Sequence, residues 1–148
     1  MKLLNRRAFG DQFRLEAIPE YIKFQYRLDR IVLQYLKRHD VMLLAGTELT
    51  ARAWYGIAPG DSLHDELRIL KECGYTDLEA LRTATLNPSI AGKKMEADYR
   101  WGMIKEGYSA DLIFTSENPL NDIGILRYPN AVMKSGVLYD NETLTGLR

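Results

Sequence analysis

The chain has 148 residues, the length of one ordinary domain, and is 46% hydrophobic and 27% charged, enough for both a core and a well-solvated surface. Its 20 lysines and arginines balance 20 aspartates and glutamates, so no surplus positive charge draws it to nucleic acid or to an anionic membrane. The single cysteine, Cys73, excludes an internal disulfide and a four-cysteine zinc site. The first 17 residues are mixed and charged, and a poorly ordered start is expected there. From Pro19, a first-turn proline, the apolar residues Tyr21, Phe24, Leu28, Ile31, Val32 and Tyr35 step by three or four along one helical stripe. Lys37, Arg38 and His39 close that helix with charge suited to its dipole. Val41-Met42-Leu43-Leu44-Ala45 is a continuous apolar run, as in a parallel strand covered on both faces, and Gly46 ends it.

Residues 47–60 read as a loop. Ser62 is the expected N-cap of a helix over 63–73 that turns Leu63, Leu67 and Leu70 one way. Thr76-Asp77-Leu78-Glu79 is a capping box for a helix burying Leu78, Leu81 and Ala84. Asn87-Pro88 opens a further short helix that ends near Gly92. Beyond a polar linker the pattern shortens into strand candidates at 101–104, 111–115, 131–134 and 137–139. Tight turns are expected at Lys105-Glu106-Gly107 and Lys134-Ser135-Gly136, a short helix within 119–127, and another at the end of the chain. The order is α then β, with one parallel-type strand whose neighbours the chain does not supply. Three segments follow: 1–17 poorly ordered, 18–97 helical with that strand, and 98–148 made of short strands.

Several motifs then stand in one order. Leu43-Leu44-Ala45-Gly46-Thr47-Glu48 resembles the strand-end segment of the amidohydrolase superfamily, whose usual form is Gly-Thr-Asp. Pro59-Gly60-Asp61-Ser62-Leu63-His64-Asp65-Glu66-Leu67 is similar to the loop and helix that follow that strand in the imidazolonepropionase-like and prolidase-like branch. Glu79-Ala80-Leu81-Arg82-Thr83-Ala84-Thr85-Leu86-Asn87-Pro88 resembles the family's Ala-Leu-x-x-Ala-Thr-x-Asn-Pro helix pair. Gly102-Met103-Ile104, then Gly107-Tyr108-Ser109-Ala110-Asp111-Leu112-Ile113, then Asn118-Pro119-Leu120 match further family segments, and 132–136 matches a closing strand. The resemblance covers roughly residues 20 to 140.

It implies an α/β chain: the C-terminal fragment of a TIM-barrel metal-dependent hydrolase, with the last barrel strand and its helices in 18–97 and part of the small β-sandwich in 98–148. A complete barrel takes about 250 residues. The family's His-x-His is absent, and the two histidines, His39 and His64, lie in no such motif. The implied object is a carboxy-terminal piece: a remnant, a split subunit or a cloned fragment. In the family, the aspartate at the Glu48 position serves the metal site and takes the proton of the attacking water. Glu48 is therefore the candidate metal residue, one methylene longer than the family's aspartate. No catalytic residue is assigned, and no cofactor is expected on this chain alone, although zinc or another divalent metal is implied for the complete family.

The remaining residues read more plainly. His64 is a polar residue in a helix first turn, His39 sits at a helix end, and Cys73 points inward as a structural thiol. His64-Asp65-Glu66-Leu67 spells a retention signal that is read only at a C-terminus, so it is a coincidence here. Asp111 is expected to hold a turn, and Trp54-Tyr55 to cover the strand end. Asn141-Glu142-Thr143 fits a glycosylation acceptor, without meaning in the cytoplasm, where this chain is expected. A hydrolase of C–N bonds other than peptide bonds, inactive alone, is one expectation. A non-catalytic remnant, an oligomerising module or one subunit of a split enzyme is the other. Open strand edges favour a homo-oligomer or a second chain supplying the rest of the barrel, with no nucleic acid and no membrane as partner.

Overall fold

The first described helix, α1 (Glu20–Arg38), has Glu20 in its first turn and Lys37 and Arg38 in its last, as the helix dipole favours. The computed structural model describes residues 20–46, 60–94 and 100–146; the segment 1–17, most of the expected loop at 47–60 and the linker at 95–99 lie outside them. The expected apolar stripe is present, but it faces outward, with Tyr21, Phe24, Leu28, Ile31, Val32 and Tyr35 all exposed. The opposite face meets the rest of the protein. Leu33 packs against the core, and its carbonyl accepts a hydrogen bond from the Tyr75 hydroxyl at 3.0 Å. On that face Arg30 pairs with Glu72, and Lys37 with Glu79 at 2.6 Å.

The buried strand expected at 41–45 is not formed among the described residues. A strand needs a neighbour for its ladder, and these hydrogen bonds go to helices instead. The Ala45 N–H donates to the Thr83 carbonyl at 2.9 Å, and the Leu43 carbonyl accepts from the Asn87 side-chain amide at 2.8 Å. Leu43 and Ala45 pack on the core, whereas Val41, Met42 and Leu44 are left exposed.

The next helix, α2 (Asp61–Glu72), starts ahead of the expected Ser62 cap. Gly60 occupies the N-cap without a side-chain bond, and Asp61 is already helical. Arg127 explains the earlier start, since it donates to the Asp61 carbonyl at 3.0 Å and pairs with Asp65 at 2.7 Å. Helix α3 (Asp77–Ala84) has the expected capping box. Thr76 Oγ1 accepts from the Glu79 N–H at 3.2 Å, and the Glu79 carboxylate accepts from the Thr76 N–H at 2.6 Å. Its buried residues are Ala80 and Thr83, while the expected Leu81 and Ala84 lie at the edge of the core and Leu78 faces out. Ala80 is fully buried in the core cluster beside Leu67 and Leu70 of α2. Helix α4 (Leu86–Lys94) runs past the expected stop at Gly92.

The Glu79 carboxylate is held down to about 2, first by the hydrogen bond from Lys37 and then by the Thr76 N–H. A carboxyl depressed in the folded state stabilises it above the unfolded value near 4.5, and that stability is lost as pH falls toward about 2. Glu79 is 44% exposed, so after discounting for contact with water the contribution is about 1 kcal/mol. Glu79→Gln should therefore lower the melting temperature at pH 7 and bring no loss at pH 2. Thermal melts of both proteins across pH 2 to 7 check this, and an equal loss at both ends would contradict it.

The later residues form a three-stranded antiparallel sheet in the order β1 (Leu112–Phe114), β2 (Ala131–Lys134), β3 (Val137–Asp140). Three of the four expected strands are thus present. Ser135 and Gly136 both take positive φ, 50° and 83°, as a two-residue hairpin turn requires. Asp111 holds that turn, accepting from the Ser135 N–H at 2.7 Å and pairing with Lys134 at 2.9 Å. The strand expected at 101–104 is absent because Gly102 stands at φ +83° against the Thr85 carbonyl, a conformation that breaks an extended run. The helix expected within 119–127 is a 3₁₀ turn, Ile123–Arg127, and the chain's last described element is α5 (Asn141–Gly146).

The core lies where α2, α3 and the 3₁₀ turn meet: Leu67, Leu70, Cys73, Tyr75, Ala80, Ile123 and Leu126. Asp77 fastens the three together, accepting from Lys71 at 2.7 Å and from the Ile123 N–H at 2.8 Å. Among the described residues no helix is long and apolar enough to cross a membrane.

Candidate functional site

The strand-end segment is fixed from two sides. Thr83 on α3 takes the Ala45 N–H, and Glu66 on α2 takes the next one, from Gly46, at 3.3 and 3.4 Å to its two oxygens. Burial pushes the Glu66 carboxyl up, and the Gly46 N–H pulls the other way. A half-buried carboxyl thus sits at the end of the 41–46 segment, two residues before Glu48. Glu48 itself lies outside the described residues, as do Trp54 and Tyr55. The sequence reading passed over Glu66, although it stands in the quoted 59–67 motif. Its signal was a glutamate three residues after Leu63 and four before Leu70, on the flank of the face those leucines turn inward.

His64, one of the two histidines, faces elsewhere. It lines a cavity of about 470 Å³ between α2 and the 3₁₀ turn, with Arg68, Lys71, Asp122 and Arg127 among the other walls. Burial, and then the nearby Arg127 charge, hold its imidazole below the ordinary value, which favours the neutral ring. The cations there are bound by carboxylates: Arg127 by Asp61 and Asp65, Arg68 by Glu72, and Lys71 by Asp77. The cavity therefore offers little uncompensated charge to a ligand. His39 lies away from it, its ring 4.3 Å from that of Tyr35. Cys73 is buried as expected, and burial raises its thiol, so it stays protonated and inert as a nucleophile.

A metal test follows from these positions. Zinc in a protein takes three or four close N, O or S ligands. Among the described residues no group of three or more histidine, cysteine, aspartate or glutamate side chains could hold an ion. The described part of the chain thus does not fit a zinc ion by itself.

No family model matches the chain. An ochratoxinase of Aspergillus niger is 35% identical over 118 residues, covering 76% of this chain and 24% of that enzyme. Among solved structures, a Xaa-Pro dipeptidase with bound methionine superposes with a TM-score of 0.60 at 25% identity, covering 76% of this chain and 25% of that one. An amidohydrolase superposes with a TM-score of 0.59 at 27% identity, covering 76% of this chain and 26% of that one. The chain is similar to the C-terminal part of amidohydrolase-superfamily proteins. It spans about a quarter of the length of the curated relatives it matches. The mixed α/β architecture fits such a fragment of amidohydrolase-like structures.

Proposed function

We propose that this chain is the C-terminal part of an amidohydrolase-like enzyme acting on C–N bonds other than peptide bonds. In this reading residues 41–45 are the last barrel strand, α2 to α4 are its closing helices, and β1 to β3 belong to the small β-sandwich. The hydrolase class is supported by the kinship with ochratoxinase and the amidohydrolase structure. The observation that carries the rest is the state of the 41–46 segment. Its backbone is anchored at Ala45 and Gly46 by Thr83 and Glu66, while the apolar Val41, Met42 and Leu44 are left exposed. Barrel active sites gather at the C-terminal ends of strands, and this segment ends at the Gly46-Thr47-Glu48 stretch.

Glu48 keeps a carboxylate at that end, and Glu66 fixes the backbone leading into it. In the complete enzyme a divalent metal would supply an activated water, and Glu48 would be this chain's own group to take up its proton. The other ligands would lie in the remaining three quarters of such an enzyme. Alone, the chain hydrolyses nothing. After dialysis the purified protein should hold well under one zinc per chain by elemental analysis and show no amidase turnover with zinc added. One zinc per chain, retained through dialysis, would show that the site is complete and overturn this reading. A second reading, a non-catalytic association module, is favoured by the outward stripe of α1.

A further inference from the structure

The turn at 105–107 and the end of α4 bring three side chains to one point. Across that turn the Tyr108 N–H donates to the Lys105 carbonyl at 3.0 Å, with Gly107 at φ 79°. Lys93 reaches over from the last turn of α4, and its Nζ donates to the Tyr108 hydroxyl oxygen at 2.7 Å. The Lys93 and Lys105 ammonium groups lie 5.1 and 5.9 Å from the centre of the Tyr108 ring. Elsewhere Lys23, Lys37, Lys71 and Lys134 each pair with a carboxylate. Among the described residues Lys93 and Lys105 have no such partner, and Glu106, on the same turn, bonds to neither. Their charge therefore acts on the phenol. The hydrogen bond from Lys93 holds the hydroxyl below its ordinary value, burial opposes this, and the charges of Lys93, Lys105 and Arg100 add to it.

We propose that Tyr108 is a modification site, a nucleophilic phenol that takes arylsulfonyl electrophiles. A phenol of ordinary value near 10 is only about 1% ionised at pH 8, so whatever favours the anion multiplies the reactive form. An ammonium group bonded to the oxygen does this, as for other activated nucleophiles. In the step, the phenolate oxygen attacks the sulfonyl sulfur of an arylsulfonyl fluoride. The O–S bond forms, the S–F bond breaks, fluoride leaves, and the phenol proton passes to solvent. A cavity of about 290 Å³ beside the phenol, walled by Met103, Ile104, Ala110 and Leu112 as well as Lys105, gives the aryl ring an apolar seat. Exposure alone does not single out this residue. Tyr21 is 70% exposed, yet among the described residues no cation bonds its hydroxyl. Tyr75 is buried, its hydroxyl donates to the Leu33 carbonyl, and burial raises it. This inference is independent of the catalytic reading, because it uses α4 and the 105–108 turn and not the 41–48 segment.

The test uses the whole chain, incubated at pH 8 with benzenesulfonyl fluoride, with each labelled site timed by peptide mass spectrometry. Tyr108 should be sulfonylated at least about fivefold faster than Tyr21, and Lys93→Met should bring it to within about twofold of Tyr21. Lys93→Arg, which keeps a cationic donor, should retain most of the excess. If Lys93→Met lowered the helical circular dichroism, the pH profile of the unaltered chain would decide: the Tyr108 rate should level off at a lower pH than the Tyr21 rate. Labelling of Tyr108 no faster than that of Tyr21 would overturn the proposal. So would a Tyr108 rate unchanged by Lys93→Met in a folded variant, a plateau at the same pH for both tyrosines, or label on Lys93 in place of Tyr108.

Discussion

Gly102→Ala should destabilise the protein by about 3 kcal/mol or more, among the largest effects of any single methyl group here. Two penalties act together. Gly102 stands at φ +83°, where an L side chain is strained by roughly 1 to 2 kcal/mol. A Cβ there would also lie 2.3 Å from the Thr85 carbonyl oxygen and 2.9 Å from its carbon, which are backbone atoms that cannot swing away. Relief requires the 100–104 segment to lift off the junction between α3 and α4. Urea unfolding of the variant should show a much lower midpoint with a similar slope. A loss below about 1 kcal/mol would mean that this segment does not press on Thr85 in solution.

Leu70→Ala should cost a comparable amount, about 3 kcal/mol, by leaving a hole in the middle of the core. Leu70 is 4% exposed and sits with Leu67, Ile123 and Leu126, the residues that join α2 to the 3₁₀ turn. The core is small, so the loss is a large share of the few kcal/mol that keep a domain of this size folded. Ile104→Ala, at a side chain 90% exposed, is the matched control and should change stability by less than about 0.5 kcal/mol. Similar losses in the two variants would place the core elsewhere.

Local rules made much of the architecture legible. The capping box at Thr76 to Glu79, the strands at 131–134 and 137–140 and the turn between them follow from hydrogen-bonding side chains and from positions that accept positive φ. The motif order pointed to the superfamily that the comparisons then bore out. What failed depended on tertiary partners. The 41–45 run has the composition of a central strand, but composition cannot provide a neighbouring ladder. The periodicity of α1 marked an apolar stripe without saying what covers it: the side with Arg30, Leu33 and Lys37 meets the rest of the chain and the stripe is left open. On α3 the expected Leu81 and Ala84 pack at the core's edge while Leu78 faces out, and the fully buried positions are Ala80 and Thr83, which an apolar pattern does not single out. Glu66 escaped notice since its meaning comes from a backbone N–H twenty residues away.

The inverted mounting of α1 makes ionic strength act on its two faces in opposite senses. Dissolved electrolyte screens half-exposed charge pairs within a Debye length of about 8 Å at physiological concentration, so the Arg30 and Lys37 anchors loosen as it rises. Sulfate and similar kosmotropes instead strengthen apolar contact. In concentrated ammonium sulfate the helix should grip its own body less and other oily surfaces more, behaving as a tethered adhesive arm.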